Sequence, residues 1–305
     1  LAALKANNEY RVKEELINKM FIHTSYEESL AFKETKMSKV GQRDLTSFYE
    51  NHIKKAGVVH CTLACPSDHM DKVEKLAKML KVCFQNAYNN EKAADSSRIW
   101  LRKANVDTKF NPIVMHGSGT SMVMMGQTTN LPQYDPDNDG IALSLAVQSL
   151  GGGMTSDLMW TLRELHGKQN GTYGVYASQE DQQHAPSFVV VQGTFTPSLA
   201  QNGIKDLVNT VKKWCNHGLN AEKLKNAKAE LLGQRTLEQD NWQTVTSVFH
   251  RHLTNGKNGL EEWNGWKNAV ENTTLEQVNN VIKKYMHPNK WAMACSTPIK
   301  LTDSF

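Results

Sequence analysis

Apolar residues recur at helical spacing in many segments of the chain. The stretch HMDKVEKLAKMLKVCF (69–84) carries one apolar stripe with i, i+3, i+4, i+7 spacing. NGIKDLVNTVKKWCNHG (202–218) carries another and ends at Gly218, a residue type that commonly terminates helices. Weaker forms of the pattern predict further helices over 8–30, 43–55, 155–166, 221–236, 241–254, 260–271 and TTLEQVNNVIKKY near the C terminus.

Shorter runs rich in Val, Ile, Tyr and Phe predict strands between these helices. We place them over 57–65, 111–117, 120–128, 171–178 and 187–195, with a last strand in KWAMAC. The glycine-rich HGSGTS joins two of these strands, which predicts a hairpin turn. The irregular succession of strands and helices favours an α+β fold, a two-layer sandwich with helices packed on a mostly antiparallel sheet.

A helix followed by a short turn and a strand occurs twice in the same register. A shift of 230 residues places Leu45 on Leu275 and CTLAC (61–65) on WAMAC (291–295). We interpret the pattern as a duplicated domain. The predicted division is a C-terminal remnant of a first copy over 1–90, a linker over 91–103 and a complete second copy over 104–305.

The stretch YDPDNDGIALSLAVQSLGGG contains Asp135, Asp137 and Asp139 at the spacing of a calcium loop. The twelfth position of such a loop requires a bidentate carboxylate, but here it is Ala146. A helix start explains the acids better, because Asp135 can cap the helix and Pro136 suits its first turn. The other two carboxylates would then face the positive end of the helix dipole. We expect a buried helix here and no calcium.

Composition excludes several classes of function. The 305 residues are 39% hydrophobic, enough for a substantial core, and the net charge of +4 is spread without a dense Lys/Arg block. We expect no nucleic-acid partner. Five cysteines without a CxxC pair indicate free buried thiols in a reducing compartment. Since no apolar stretch is long enough to span a bilayer, we expect a soluble protein. Its compartment is otherwise unknown.

Motif searches leave one constellation of interest. None of the eleven histidines falls in H-E-x-x-H or H-x-x-E-H, and the chain has no G-x-S-x-G elbow or P-loop. In GGGMTSDLMWTLRELHGKQNGTYGVYAS, a predicted helix carrying Arg163 precedes a predicted strand carrying Tyr173 and Tyr176. A guanidinium and a phenol there could donate hydrogen bonds to a carbonyl oxygen. A surface arginine and a half-buried strand tyrosine would explain the same residues.

An ordered series of motifs resembles the second half of zinc peptidases of the pitrilysin and mitochondrial processing peptidase group. The shared features are a strand ending in Gly, D-P-D before a buried helix, L-G-G-G, L-R-E, a T-Y-G strand and the late GLNAEKLKNAKAELL. The segment KVGQRDLTSFYENHIKKAGVVHCTLACPSDHMDKVEKL resembles the end of the family's first half. The resemblance covers nearly the whole chain and implies the metallohydrolase fold of the mitochondrial processing peptidase type.

The resemblance also implies which half of the protein carries the catalytic residues and which half binds the peptide. The family's zinc ligands and general base lie in H-x-x-E-H early in the first half, which has no counterpart here. We therefore assign no metal ligand and no catalytic residue, and we expect this chain to be inactive alone, with zinc bound elsewhere in the full-length protein. The family's second half holds the peptide with an Arg and a Tyr, which match Arg163 and Tyr173. Because the link HGKQNG is longer than usual, Tyr176 is an alternative.

Two functions follow from the resemblance. In the first, the chain is the C-terminal part of a zinc metalloendopeptidase and contributes substrate binding and chamber closure. Its partners are then a peptide or unfolded polypeptide and either a missing N-terminal half or a homologous subunit. In the second, the chain is a non-catalytic member that acts as a scaffold or partner subunit of a peptidase complex.

Overall fold

The chain folds into two compact units in the computed structural model, which describes residues 7–21, 38–54, 60–87, 112–117, 119–131, 137–180, 187–254 and 259–302. The sheet unit comprises 1–31, 101–232 and 269–305. The helical unit comprises 32–100 and 233–268. The compact units group residues differently from the predicted repeat, whose boundaries stay a prediction.

The sheet unit is built on five strands. They are β1 (Ile113–His116), β2 (Ser121–Thr128), β3 (Thr172–Glu180), β4 (Phe188–Phe195) and β5 (Ala292–Thr297). Their order is β1-β5-β2-β4-β3. Only the β1–β5 pair is parallel, and the other three pairs are antiparallel. The predicted α+β fold with a mostly antiparallel sheet is confirmed.

Eleven α-helices occur in the described part of the chain. They are α1 (Asn8–Met20), α2 (Gln42–Phe48), α3 (Met70–Ala87), α4 (Asp139–Val147), α5 (Asp157–Met159), α6 (Gly167–Asn170), α7 (Ala200–His217), α8 (Ala221–Glu238), α9 (Trp242–Thr254), α10 (Gly259–Asn272) and α11 (Leu275–Tyr285). Three of them continue directly into π-helical segments: Tyr49–Ile53 after α2, Gln148–Gly152 after α4 and Trp160–Leu165 after α5. Two short 3₁₀ helices cover Ser67–His69 and Pro197–Leu199.

Two strand predictions were wrong. The expected β1–β2 hairpin does not form, because β5 lies between these strands and pairs with both. Every residue of β5 is buried, so it needs neighbours on both sides, whereas the half-exposed β1 suits an edge. Residues 60–66, within the predicted strand 57–65 and just after it, form no strand; residues 57–59 lie outside the described residues.

The two faces of the sheet are covered differently. Helices pack on the face that carries Val175 and Ala177, where α4, α5 and the π segments contact β3 and α7 contacts β4. Among the described helices, α1 packs on the opposite face, and its Val12 and Leu16 join a buried cluster with Met124 of β2. Alternate residues of each strand point to opposite faces of the sheet. In the centre of the sheet, the residues on both faces must therefore be apolar. The fold is therefore a sandwich of sheet and helices with one additional helix, α1, on the other face of the sheet.

One carboxylate of the acidic run, Asp139, forms a tertiary contact. Asp139, in the first turn of α4, accepts hydrogen bonds from Lys284 Nζ and Tyr285 Oη of α11, both at 2.7 Å. Burial opposes ionisation of Asp139, but the two hydrogen bonds and the Lys284 charge outweigh it and lower the pKa of the carboxyl. Asp137 is exposed. The predicted cap at Asp135 lies outside the described residues.

The structure corrects the expectation that the cysteines are buried. All five are free, and Cys215 and Cys295 are buried as predicted, so burial raises their pKa values to about 11 and about 12. Cys61 and Cys83 are exposed instead. Cys61 lies in the segment that forms no strand, and Cys83 lies on an exposed side of α3, which explains the difference. None of the described helices has the length and apolar character needed to cross a bilayer.

We expect Asp139→Asn to lower the free energy of unfolding by about 1–2 kcal/mol at pH 7, because two hydrogen bonds to a carboxylate are weakened and Lys284 is solvent-screened. Since the pKa of Asp139 is lowered by folding, this contribution is present above about pH 4 and is lost as pH falls through the folded-state pKa. Urea unfolding of both proteins at several pH values measures it. The exposed Asp137→Asn is the control, and an equal loss in both variants would contradict the assignment.

Candidate functional site

Two of the three predicted site residues lie on β3, at one end of the described sheet, and the third lies on a segment that contacts β3. Strand β3 pairs only with β4 among the described strands, and it carries Tyr173 and Tyr176, whose exposed fractions are 68% and 53%. Arg163 is exposed on the π segment Trp160–Leu165, which contacts β3. Within the described part of the chain, none of the three side chains has a hydrogen bond or ion pair. Their donors are therefore available to a ligand.

Buried leucines hold the segment that carries Arg163. Ser156 caps α5 by accepting a hydrogen bond from the Met159 amide at 3.4 Å, and Leu158 and Leu162 are fully buried. The chain then continues as a π-helix, a widened turn that is often found at functional sites. The predicted helix 155–166 is thus present in a modified form. Its buried side faces the core and its other side leaves Arg163 in solvent.

The triple-glycine turn allows the chain just before this segment to lie close to the backbone of β3. A Cβ on Gly151 would lie 2.5 Å from the backbone nitrogen of Ala177, so no side chain fits there. A Cβ on Gly153 would collide with the carboxylate of Glu230. That carboxylate accepts hydrogen bonds from Gln148 Nε2 at 2.9 Å and Thr155 Oγ1 at 2.8 Å, one on each side of the turn. The turn therefore has backbone contact on β3 and a polar anchor on α8.

The long link between Arg163 and Tyr173 is an ordered part of the fold. Its residues form α6, and Asp206 of α7 accepts hydrogen bonds from His166 Nδ1 at 2.8 Å and Asn170 Nδ2 at 3.0 Å. The residues of this link thus form a short helix that is tied to α7. No local motif signals Asp206 or Glu230, because their partners lie 36 to 82 residues away in sequence.

The two tyrosines occupy different positions on β3. Thr172 is opposite Phe195 and Gly174 is opposite Thr194, so Tyr173 is the extra residue of a β-bulge. Tyr176 is in register with Gln192. Its ring lies over Gly174, where a Cβ would approach the ring to 2.9 Å. Strand alternation directs Tyr176 to the face that α1 covers.

No metal site is formed by the described residues, since no three His, Cys, Asp or Glu side chains there come close enough to bind one ion. The predicted site residues are instead hydrogen-bond donors that lie on both sides of the sheet: the segment of Arg163 packs on the face of Val175 and Ala177, whereas Tyr176 lies on the face that α1 covers. Such a set can bind carbonyl oxygens of a peptide.

The sequence model of the family described as peptidase M16 inactive domain matches residues 39–231, more than half of the chain. The chain belongs to this family. The predicted resemblance to the C-terminal portion of pitrilysin-type peptidases is thereby confirmed. Among curated proteins, none matches the sequence.

Solved structures show the same fold. The M16 inactive domain from Pseudomonas fluorescens aligns with 99% of this chain and 69% of its own, at 17% identity and a TM-score of 0.75. A protease from Helicobacter pylori aligns with 96% and 68%, at 14% identity and 0.73. The periplasmic protease PqqL from Escherichia coli aligns with 95% and 30%, at 15% identity and 0.63. At these identities the similarity concerns the fold alone.

We expect Gly151→Ala to destabilise this M16 inactive domain by about 1–3 kcal/mol, because the new methyl group must displace the backbone of β3. The matched control is Gly233→Ala in α8, where a Cβ meets nothing within 4 Å. There the better helix propensity of alanine should stabilise by up to about 1 kcal/mol. Thermal unfolding of the two variants measures the difference, and equal stability of both would contradict the close approach.

Proposed function

We propose that this M16 inactive domain is the substrate-binding half of a zinc metallopeptidase, in which it holds an extended peptide and closes the reaction chamber. The observation that supports this most directly is that the donors of Arg163, Tyr173 and Tyr176 have no partner among the described residues, on or beside a strand whose outer edge pairs with no described strand. A peptide in extended form presents a carbonyl oxygen at each residue. The planar guanidinium can donate two hydrogen bonds to such oxygens, and a phenol can donate one.

Zinc and the general base would come from residues outside this chain, as the family resemblance implies. A bound zinc ion activates water and polarises the scissile carbonyl in such peptidases. The role of the residues in this chain is to hold the peptide backbone in place. Positioning of this kind contributes to catalysis by fixing the reacting carbonyl relative to the attacking group. The chain alone is then expected to bind peptide without hydrolysing it.

The origin of residues 1–90 as the tail of the zinc-bearing half belongs to the same proposal. The described part of this stretch includes two helices, α2 with its π segment and α3, whose large apolar side chains are exposed. These are Leu45, Phe48, Tyr49, Ile53, Leu76, Met79 and Val82. Apolar helix faces of this extent are stabilised by a covering layer. A preceding zinc-bearing half, or a homologous subunit, is the partner that we propose for them.

A second candidate function is that of a non-catalytic scaffold or partner subunit in a peptidase complex. It is favoured by the description of the family as an inactive domain. The two functions differ in one measurable property. A substrate-binding half binds unfolded peptide through Arg163, whereas a pure scaffold does not.

We expect Arg163→Ala to weaken the binding of a short, unstructured, fluorescein-labelled peptide by roughly 10- to 100-fold, because a charged donor pair is lost. Fluorescence anisotropy with the full chain measures this. Arg163→Lys should recover only part of the affinity, since an ammonium cannot form the planar two-donor contact. Lys168→Ala removes an exposed cation from the neighbouring α6 and serves as the control. Equal effects of the two alanine substitutions would favour the scaffold.

We expect Tyr173→Phe to weaken the same peptide by roughly 3- to 10-fold through loss of one hydrogen bond. Tyr176→Phe should have a smaller effect, because Tyr173 lies at the bulge that directly follows the link from Arg163. Anisotropy titrations of the two variants make the comparison. The reverse order of effects would transfer the donor role to Tyr176.

A further inference from the structure

A small cavity of about 150 Å³ opens beside β3 on the face that α1 covers. Its floor is apolar and consists of side chains from α1 and β4, among them Leu16, Ile17, Phe188 and Val190. Tyr176 and Ser178 of β3 border it toward the free edge of the sheet. An apolar floor with a polar border is the usual composition of a ligand pocket.

Beside the cavity, α1 is fixed over the middle of the sheet, where it contacts β2 and β5. Arg11 Nη1 donates to the His116 carbonyl at 3.1 Å, and Ser296 Oγ donates to Asn8 Oδ1 at 3.2 Å, so α1 is tied to β1 and β5. At Gly126 of β2 the helix approaches so closely that a Cβ would collide with Met20. The side chains of β3 on the same face lie beside α1, and Tyr176, Ser178 and Glu180 line the cavity together with it.

The outer edge of β3 is unpaired among the described strands. Such an edge presents a row of backbone donors and acceptors to which an extended peptide can add as a further strand. Side chains of an added strand alternate between the two faces of the sheet. Those on the α1 face would stand next to Tyr176, Ser178 and Glu180, at the mouth of the cavity.

We propose that β3 binds an extended polypeptide as a sixth strand and that the cavity takes one apolar side chain of that polypeptide, of the size of Leu, Met or Phe. The volume supports this choice, since an engineered apolar cavity of about 150 Å³ holds one benzene molecule. The proposal rests on the proposed function and specifies its substrate class: unfolded segments that carry a large apolar residue.

Charged residues that line the cavity further restrict the class of polypeptide that we expect to bind. Glu9 and Lys13 of α1 and Glu180 of β3 border the cavity, which gives two carboxylates and one ammonium. The surplus negative charge disfavours an acidic residue at the bound position and next to it. A large apolar side chain with neutral or basic neighbours is therefore the preferred occupant.

The test uses fluorescein-labelled peptides that share an unstructured Ser/Thr/Lys sequence and differ only at the central residue, which is Leu, Ser or Asp. With the full chain we expect the Leu peptide to bind about tenfold more tightly than the Ser peptide, and the Asp peptide to bind most weakly. Ser178→Trp and Lys13→Trp each place a large ring at the cavity mouth from a different element. Both should reduce the Leu preference below about twofold, while Lys168→Trp on α6 should retain it.

Strand addition has its own readout in amide hydrogen exchange. The Leu peptide should slow the exchange of β3 amides, whereas those of β1 at the other edge of the sheet should not change. Equal affinity for the Leu and Ser peptides, or a Leu preference that survives both tryptophan substitutions, would overturn the cavity assignment. Unchanged exchange in β3 would overturn the strand pairing. If Arg163→Ala had no effect while the Leu preference behaved as expected, the Arg163 role alone would be wrong.

Discussion

The contact between the glycine turn and the edge strand is the constraint on which the candidate site depends. Because Gly151 has no side chain, the end of the π segment after α4 can lie against the backbone of β3 at Ala177. The next residues of the chain form the segment that carries Arg163, and β3 itself carries the tyrosines. One close approach thus fixes two elements that are joined by an ordered link, and Glu230 and Asp206 stabilise it with hydrogen bonds from either side.

Much of the fold could be predicted from sequence because local spacing determines it. The apolar stripe of α7 and its end at Gly218 appear in the structure nearly as expected, with Gly218 at a φ of 65°. The strands β2, β3 and β4 also lie within a few residues of their predicted positions. Strand pairing was less accessible, since it depends on which distant segment completes the sheet. The insertion of β5 between β1 and β2 is set by its buried faces and not by the turn sequence that follows β1.

The sequence suggested which residues form the candidate site, and their role stays a proposal, but it did not suggest which residues support them. Arg163 and the tyrosines stand out because a family motif and an unusual residue combination coincide. Asp139 was expected at a helix start, which it occupies, but its bonds to Lys284 and Tyr285 join segments far apart in sequence. The same is true of Asp206. Carboxylates on helix surfaces look alike in sequence, and only the fold decides which of them meets a partner.

The position of β5 has a consequence for how the protein is made. This strand comes from the far end of the chain, yet it lies in the interior of the sheet with β1 and β2 as its neighbours. During synthesis on the ribosome, these two strands have no partner between them until the residues from β2 to β5 have been synthesised. Contacts of such long sequence separation slow folding and leave strand edges open in the meantime. We therefore expect the sheet unit to complete its folding only after β5 has been synthesised.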